Sequence, residues 1–271
     1  MEHQSATYTH GHHASVLRSH SWRTAENSAA YLLPFLKPNM DILDVGCGPG
    51  TITVDLASRV AQGKVIGIDM SEDVIDKARV AAREKGLRNC HFQTGDVEAL
   101  AYPDNSFDVV HAHQVLQHVG NPVQALREMH RVVKPGGIVA ARDAIYKTWV
   151  FYPEVDGMDD FVDLYQKVAL SNGGDPNGGR QLHVWAREAG LDAKQITKTA
   201  STWCYSTPEE VSWWSGMWSE RVVESEFAKH AIKGNFATKE ELERLAGVWR
   251  EWGGKEDAWF VMSHGEIICR V

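Results

Sequence analysis

Very little in this chain suits a membrane, a secreted scaffold or a nucleic acid. Its four cysteines, Cys47, Cys90, Cys204 and Cys269, lie far apart and form no C-x-x-C pair, which argues against a disulfide framework or a zinc knuckle. No run approaches the ~18 consecutive apolar residues of a membrane span. The leading Met1-Glu2-His3-Gln4-Ser5-Ala6-Thr7-Tyr8 lacks the apolar stretch of a secretory signal. Basic residues are in the minority, with Lys and Arg at 28 against 36 Asp and Glu and a net charge of −8. Nucleic-acid binders gain affinity by neutralising phosphates, so no nucleic-acid or anionic-membrane partner is expected. Internal repeats, low-complexity tracts and long charge runs are also missing. What remains is 271 residues, 43% of them hydrophobic, the composition of a globular and cytoplasmic protein of one large domain or two small ones.

The middle of the chain alternates strand-like and helix-like segments, the mark of an α/β fold. Strands are expected at 41–45, 64–69, 90–94, 107–112 and 138–143, with helices over 51–60, 71–85 and 122–133 between them. Ser71 reads as an N-cap and Asp73 falls in the first turn of its helix. Lys134-Pro-Gly-Gly137 reads as a helix stop. Crossovers of helical length imply parallel pairing. After Asp143 the pattern changes: 144–177 is aromatic and acidic with one helical stretch, and Asn172-Gly-Gly-Asp-Pro-Asn-Gly-Gly179 is a loop. A helix over 181–189, a strand over 194–205 and a last strand over 258–271 follow. Between those strands, Thr207-Pro-Glu-Glu210 and Thr238-Lys-Glu-Glu241 are capping boxes that open helices.

The informative stretch is Leu43-Asp44-Val45-Gly46-Cys47-Gly48-Pro49-Gly50, a glycine-rich turn between a strand and a helix. Its bland reading is an ordinary connecting turn. A dinucleotide fingerprint would place its third glycine five positions after the first, where this chain has Thr51. G-x-G-x-G after a strand carrying a carboxylate suits a nucleoside whose amino-acid tail lies along the loop. Asp69 ends the next strand, twenty-three residues after Gly46, where a carboxylate can accept both ribose hydroxyls. Gly95-Asp96-Val97 follows the third strand, where Asp96 can accept an adenine amine and Val97 can cover the ring. Three such features at the carboxyl ends of consecutive strands leave the bland reading little room.

D-V-G-C-G-P-G, I-D-M-S, G-D-V, F-D-V-V and V-K-P-G-G, in that order, resemble class I S-adenosylmethionine-dependent methyltransferases, most of all the ubiquinone/menaquinone-biosynthesis type. The resemblance covers about residues 38–143. It implies a Rossmann-like, seven-stranded, mostly parallel sheet in an αβα sandwich with S-adenosylmethionine as cofactor. By position it implies that Gly46, Gly48, Pro49 and Gly50 line the methionine moiety. Asp69 would hold the ribose, with Met70 on the adenine face, Asp96 and Val97 beside the adenine, and His113 touching the cofactor beyond the fourth strand. Asp44 would stand behind the amino-acid end. The chain departs from the quinone enzymes in its His-rich head and in a helical insertion at about 206–256. It is expected to form one domain: an N-terminal arm and helix (1–37), a cofactor half (38–143), a substrate-side half (144–205), a helical lid (206–256) and the last strand (257–271).

Three groups of residues invite further readings. His10, His12 and His13 form a run without the partner spacing of a zinc site, so no metal is expected, and Tyr8 and His12 are placed over the site as part of a polar arm. His111, His113 and His118 lie on or after the fourth strand; His118 is the preferred general base for an acceptor that must lose a proton, although a histidine that only packs is an equal reading. Tryptophan concentrates late, at Trp203, Trp213, Trp214, Trp218, Trp249, Trp252 and Trp259. Most of these are expected to cement the insertion to the sheet, with Trp214 facing an apolar acceptor site. Arg142 and Asp143, at the expected end of the fifth strand, would add polar contacts. Cys47 reads as a small loop residue, and the lack of a cysteine cluster speaks against arsenic methylation. No N/D-P-P-Y/W motif follows the fourth strand. The acceptor is therefore expected to be a small, largely apolar organic molecule, with a protein methyltransferase and a non-catalytic cofactor binder as the alternatives.

Overall fold

A computed structural model describes Thr9, Ser15, Ser19, His20 and residues 22–271. Seven strands, β1 (Ile42–Val45), β2 (Val65–Asp69), β3 (Cys90–Thr94), β4 (Phe107–His113), β5 (Val133–Tyr152), β6 (Ile196–Tyr205) and β7 (Trp259–Arg270), form one sheet in the order β3-β2-β1-β4-β5-β7-β6. The first five pair in parallel, and β7 runs antiparallel to both β5 and β6. The chain order reverses between β1 and β4, and ligands of open α/β sheets settle at the carboxyl ends beside such a switch point.

Alternation along the strands feeds two cores. Ile42, Val65, Val109 and Ile138 face one way and pack against α1 (Ala25–Ser28), α2 (Thr51–Arg59) and α3 (Glu72–Glu84). Leu43, Ile66, Val110 and Val139 face the other way, toward α4 (Pro122–Val132) and α6 (Leu182–Glu188). Expected and observed boundaries of β1 to β4 and of α2, α3, α4 and α6 agree to within one residue at each end. Ser71 does occupy the N-cap of α3 but makes no side-chain cap; Asp69 Oδ1 accepts its N–H instead, at 3.1 Å.

One expectation is corrected. The Pro-Gly-Gly stop does not separate α4 from a short strand, and the fifth strand does not end at Asp143. β5 begins at Val133, paired with Phe107 of β4, and runs to Tyr152, because β7 offers a ladder from Ile138↔Arg270 to Tyr152↔Trp259, with an irregularity between Ile145 and Val150. The register irregularity between Phe107 and Val109 absorbs the Pro-Gly-Gly segment. The distal half of β5 places Tyr146 and Trp149 into a third, aromatic core.

That core is closed by α5 (Met158–Ser171) and by the inserted helices α7 (Pro208–Glu224), α8 (Glu226–Lys233) and α9 (Lys239–Gly253). The boxes at Thr207 and Thr238 cap α7 and α9 as expected. Trp249, fully buried, stacks on Trp218 at 5.7 Å and meets Phe161 at 5.2 Å and Phe151 at 5.7 Å. Truncating a buried tryptophan removes its transfer energy and leaves a cavity, together about 3–5 kcal/mol. Trp249→Ala is therefore expected to lower the unfolding free energy by that amount in guanidinium titrations; a loss under about 1 kcal/mol would mean that the helical segment is not part of the cooperative core.

Candidate active site

The turns after β1, β2 and β3 and the carboxyl end of β4 surround a cavity of about 320 Å³, closed on its far side by β6 and α7. The glycine turn forms its floor. At Gly46, φ is +62°, and a Cβ there would collide with Val115. At Gly48 a Cβ would meet only His20, at 3.7 Å, so this residue presents bare backbone to the cavity. Gly46, Gly48 and Pro49 line it, whereas Gly50 is not among its lining residues and fits tightly against Ala78 and Phe92.

Asp69 reaches across to this turn: its Oδ2 accepts the Gly48 N–H at 3.1 Å. Met70, also in the lining, is 78% exposed, an apolar side chain standing bare over open space. Asp96 and buried Val97 complete this side; Asp96 Oδ1 accepts the Glu98 N–H at 2.8 Å and its side chain is otherwise exposed. Beneath the turn, buried Asp44 accepts Thr53 Oγ1–H at 2.5 Å and meets His111 Nδ1 at 2.7 Å.

His113 ends β4 in the cavity wall, with its ring 5.7 Å from that of Trp203. Neither ring nitrogen has a hydrogen-bond partner among the described residues. Burial, reinforced by Arg142 and Arg23, holds its pKa well below the ordinary histidine range. His118 also lines the cavity, half-buried. Gln117 Oε1 accepts the Ala144 N–H at 2.9 Å, which turns the Gln117 amide nitrogen toward His118 Nε2 at 3.0 Å. The lone pair of that imidazole nitrogen is thereby occupied, and desolvation, with Arg23 adding to it, pushes the pKa down to about 3. A general base works best with a pKa near the working pH. The geometry thus suits His118 to positioning more than to proton abstraction.

Trp214 stacks on Tyr205 at 4.5 Å and both line the cavity. Arg142 and Asp143 are not among its lining residues. Because β5 continues past them, they sit in mid-strand, fully enclosed, and not at a strand end. Arg142 Nε donates to Ser201 Oγ at 3.0 Å and lies 3.3 Å from Glu266; burial lowers its pKa to about 10 against the pull of Glu266. It borders a second space of about 290 Å³ behind Trp203. Burial raises the Asp143 pKa to about 8. Tyr8, His12 and the neighbouring His10 and His13 lie outside the described residues. Among the described residues, no group of three or more His, Cys, Asp or Glu could hold a metal.

Several cavity residues carried no sequence signal. Arg23 Nη2 donates to Gln114 Oε1 at 3.0 Å, and the Gln114 amide nitrogen meets His264 Nε2 at 3.1 Å. Gln114 has a φ of +54°, a conformation uncommon outside glycine. Arg221, on α7, donates to Ser19 Oγ at 2.8 Å and lies 4.6 Å over the Trp218 ring.

The buried titratable groups set a pH optimum for stability. His113 and His264 are held well below the ordinary histidine value mainly by burial, and His118 adds in the same direction. Below about pH 6.5 the unfolded chain takes up protons that these folded sites refuse, so stability falls as pH falls. Asp143 works oppositely: its folded value of about 8 lies above that of an unfolded carboxyl, and its contribution is lost as pH rises through that value. Tm is expected to peak near pH 6.5 and to decline on both sides, and Asp143→Asn should flatten the decline between about pH 6.5 and 8 and steepen the acid limb, where Asp143 opposes the histidines. A native Tm still rising at pH 8 would contradict this assignment.

Residues 36–190, more than half of the chain, match the family described as methyltransferase domain. An uncharacterized methyltransferase of Schizosaccharomyces pombe is 37% identical over 270 residues, covering 97% of this chain and 96% of its own. The demethylmenaquinone methyltransferase of Lactococcus lactis is 36% identical over 116 residues, 42% of this chain and 46% of its own. Among solved structures, the YcgJ protein of Bacillus subtilis has the same fold, with a TM-score of 0.56 at 20% identity over 90% of this chain and 98% of its own. The parallel sheet thus has its counterpart in a known family. The chain belongs to the class I S-adenosylmethionine-dependent methyltransferases.

Proposed function

We propose that this methyltransferase acts on a small, largely apolar organic acceptor. The observation that carries this reading is the wall of the cavity away from the glycine turn, built from Tyr146, Trp203, Tyr205, Trp214, Trp218 and Met262. Concave and mostly apolar walls with a few polar groups are the usual form of a small-molecule site.

The residues of the other half fit the cofactor. Gly48 has room beside it where a side chain would stand, Met70 stands exposed over the space an adenine would fill, and Asp96 keeps an exposed carboxylate. Asp69, Met70, Asp96 and Val97 would hold the nucleoside, and Gly46, Gly48 and Pro49 the amino-acid end, with His113 beside it. S-adenosylmethionine supplies, when bound, a methyl group on a sulfonium that is already activated for displacement. The demand on the protein is alignment and exclusion of water. Helices over 206–256 serve this as the lid, since Trp214, Trp218 and Arg221 of α7 close the cavity. His118 positions the acceptor through its wall contact. The four free cysteines suit a reducing compartment, which supports a cytoplasmic setting.

The test follows radioactive methyl from S-adenosylmethionine into a cell extract separated into solvent-soluble and protein-precipitable fractions. Label is expected in the solvent fraction and lost with Asp69→Ala. Label confined to the protein fraction would replace this reading with a protein methyltransferase, and cofactor binding without any transfer would point to a non-catalytic binder.

A further inference from the structure

Trp203, on β6, stands beside His113 in the cavity wall, with the two rings 5.7 Å apart, and the same indole also borders the second space behind it. It is a wall shared by both spaces. Its orientation is fixed from several directions. The indole N–H donates to the Asn27 carbonyl at 2.7 Å, Trp22 meets the ring edge-to-face at 5.4 Å, and His264 lies at 4.4 Å. The Arg142 guanidinium lies over the indole, its Cζ 4.8 Å from the ring centroid, and Arg23 stands farther off at 5.5 Å.

Arg142 is a costly residue for the place it holds. It is 1% exposed, and the register sets it between His113 on β4 and Glu266 on β7. Its Nε donates to Ser201 Oγ at 3.0 Å and lies 3.3 Å from Glu266 Oε1. Ser201 and Thr199 in turn donate to the two Glu266 oxygens, at 2.5 and 2.8 Å. Ser201 lies two residues before Trp203, so this triangle locks the stretch of β6 that carries the indole. Neither Nη of Arg142 has a hydrogen-bond partner among the described residues. A buried ion pair with unsatisfied donors is a poor means of stabilising a fold, and well-packed apolar side chains commonly do as well or better. What an apolar side chain does not supply is a cation against an indole, an attraction that gains strength away from water.

We infer that Arg142 is a positioning residue for the methyl transfer and acts through Trp203. Its guanidinium, fixed by Ser201 and Glu266, holds the indole at one angle in the wall. The indole in turn sets how an acceptor ring lies against the part of the cavity that His113 borders. A transfer governed by alignment answers to such a wall in its maximal rate more than in its affinities. This rests on the small-molecule reading above and adds a residue that is not itself among those lining the cavity.

Arg142→Met alone would strand the Glu266 charge and endanger folding, so the test uses the full chain carrying Arg142→Met with Glu266→Gln. This pair removes both charges and keeps an acceptor for the Ser201 and Thr199 hydroxyls. In protein labelled with fluorotryptophan, the fluorine NMR signal of Trp203, identified by its loss in Trp203→Phe, is expected to shift and broaden in the paired variant. With cell extract as the source of acceptor and S-adenosylmethionine saturating, the paired variant should lose about tenfold in maximal rate of methyl incorporation. Its affinity for S-adenosylhomocysteine and the extract concentration giving half-maximal rate should stay as in the native protein. Arg142→Lys, which keeps the pair and a cation at the ring, should recover most of the rate. Adding Trp203→Phe to the paired variant should cost little beyond what Trp203→Phe costs by itself. An unmoved Trp203 signal, an unchanged rate, a Lys variant as slow as the paired one, or losses that multiply on adding Trp203→Phe would each overturn the inference. Failure of the small-molecule reading is scored separately, by the native protein transferring no label or placing it only in the protein fraction.

Discussion

The two oxygens of Asp44 divide their work between the sheet and the helix that follows it. One meets His111 on β4 and the other accepts the hydroxyl of Thr53 in the first turn of α2. A carboxyl group this deeply buried is tolerable only when its oxygens are hydrogen-bonded. The two partners therefore fix the spacing between β1, β4 and α2, the three elements that frame the switch point. The Gly46–Gly50 turn hangs between these anchors, and Asp69 ties it from the side through the Gly48 N–H. Neither tie alone would hold a turn of glycines in one conformation, since glycine has so many others to adopt.

On this frame the two halves of the molecule meet different demands. The β1–β4 half is a sequence of βαβ units whose backbone ends and carboxylates line one side of the cavity. The other half closes the cavity, and it does so with rings. Trp218 shows how directly the two are joined: one face stacks on Trp249 in the core, and Arg221 lies over the same indole at the cavity. Large rigid aromatics bring much buried area at little conformational cost. The helical segment thus gains its stability and its chemistry from the same side chains.

The parallel half was legible in the sequence because its signals are local. Gly46, Asp69 and Asp96 sit at strand ends set by apolar runs, and Thr207 and Thr238 write their capping boxes within four residues. The long β5 was not legible, since its continuation past Asp143 depends on β7, more than a hundred residues later. That same dependence seats Arg142 and Asp143 in mid-strand, away from the cavity they were expected to reach. Arg23, Gln114 and His264 form a chain of hydrogen bonds across separations of 91 and 150 residues, and no spacing rule links such positions. Only the φ of +54° at Gln114 marks the place, and backbone strain has no letter in the sequence.

These differences explain why a cofactor can be read where an acceptor cannot. The glycine turn and the carboxylates proposed to hold the cofactor have a spacing that follows from the sheet, so their signature survives as a motif. The rest of the cavity wall is built from single side chains from the segment before β1, from the end of β4, from β6 and from α7, each placed by tertiary packing. The histidines around it are held in the neutral form by burial and by the nearby guanidiniums. Such a chamber has little capacity to take a proton at neutral pH and a strong capacity to orient a ring. That is the balance expected of a methyl transfer governed by alignment.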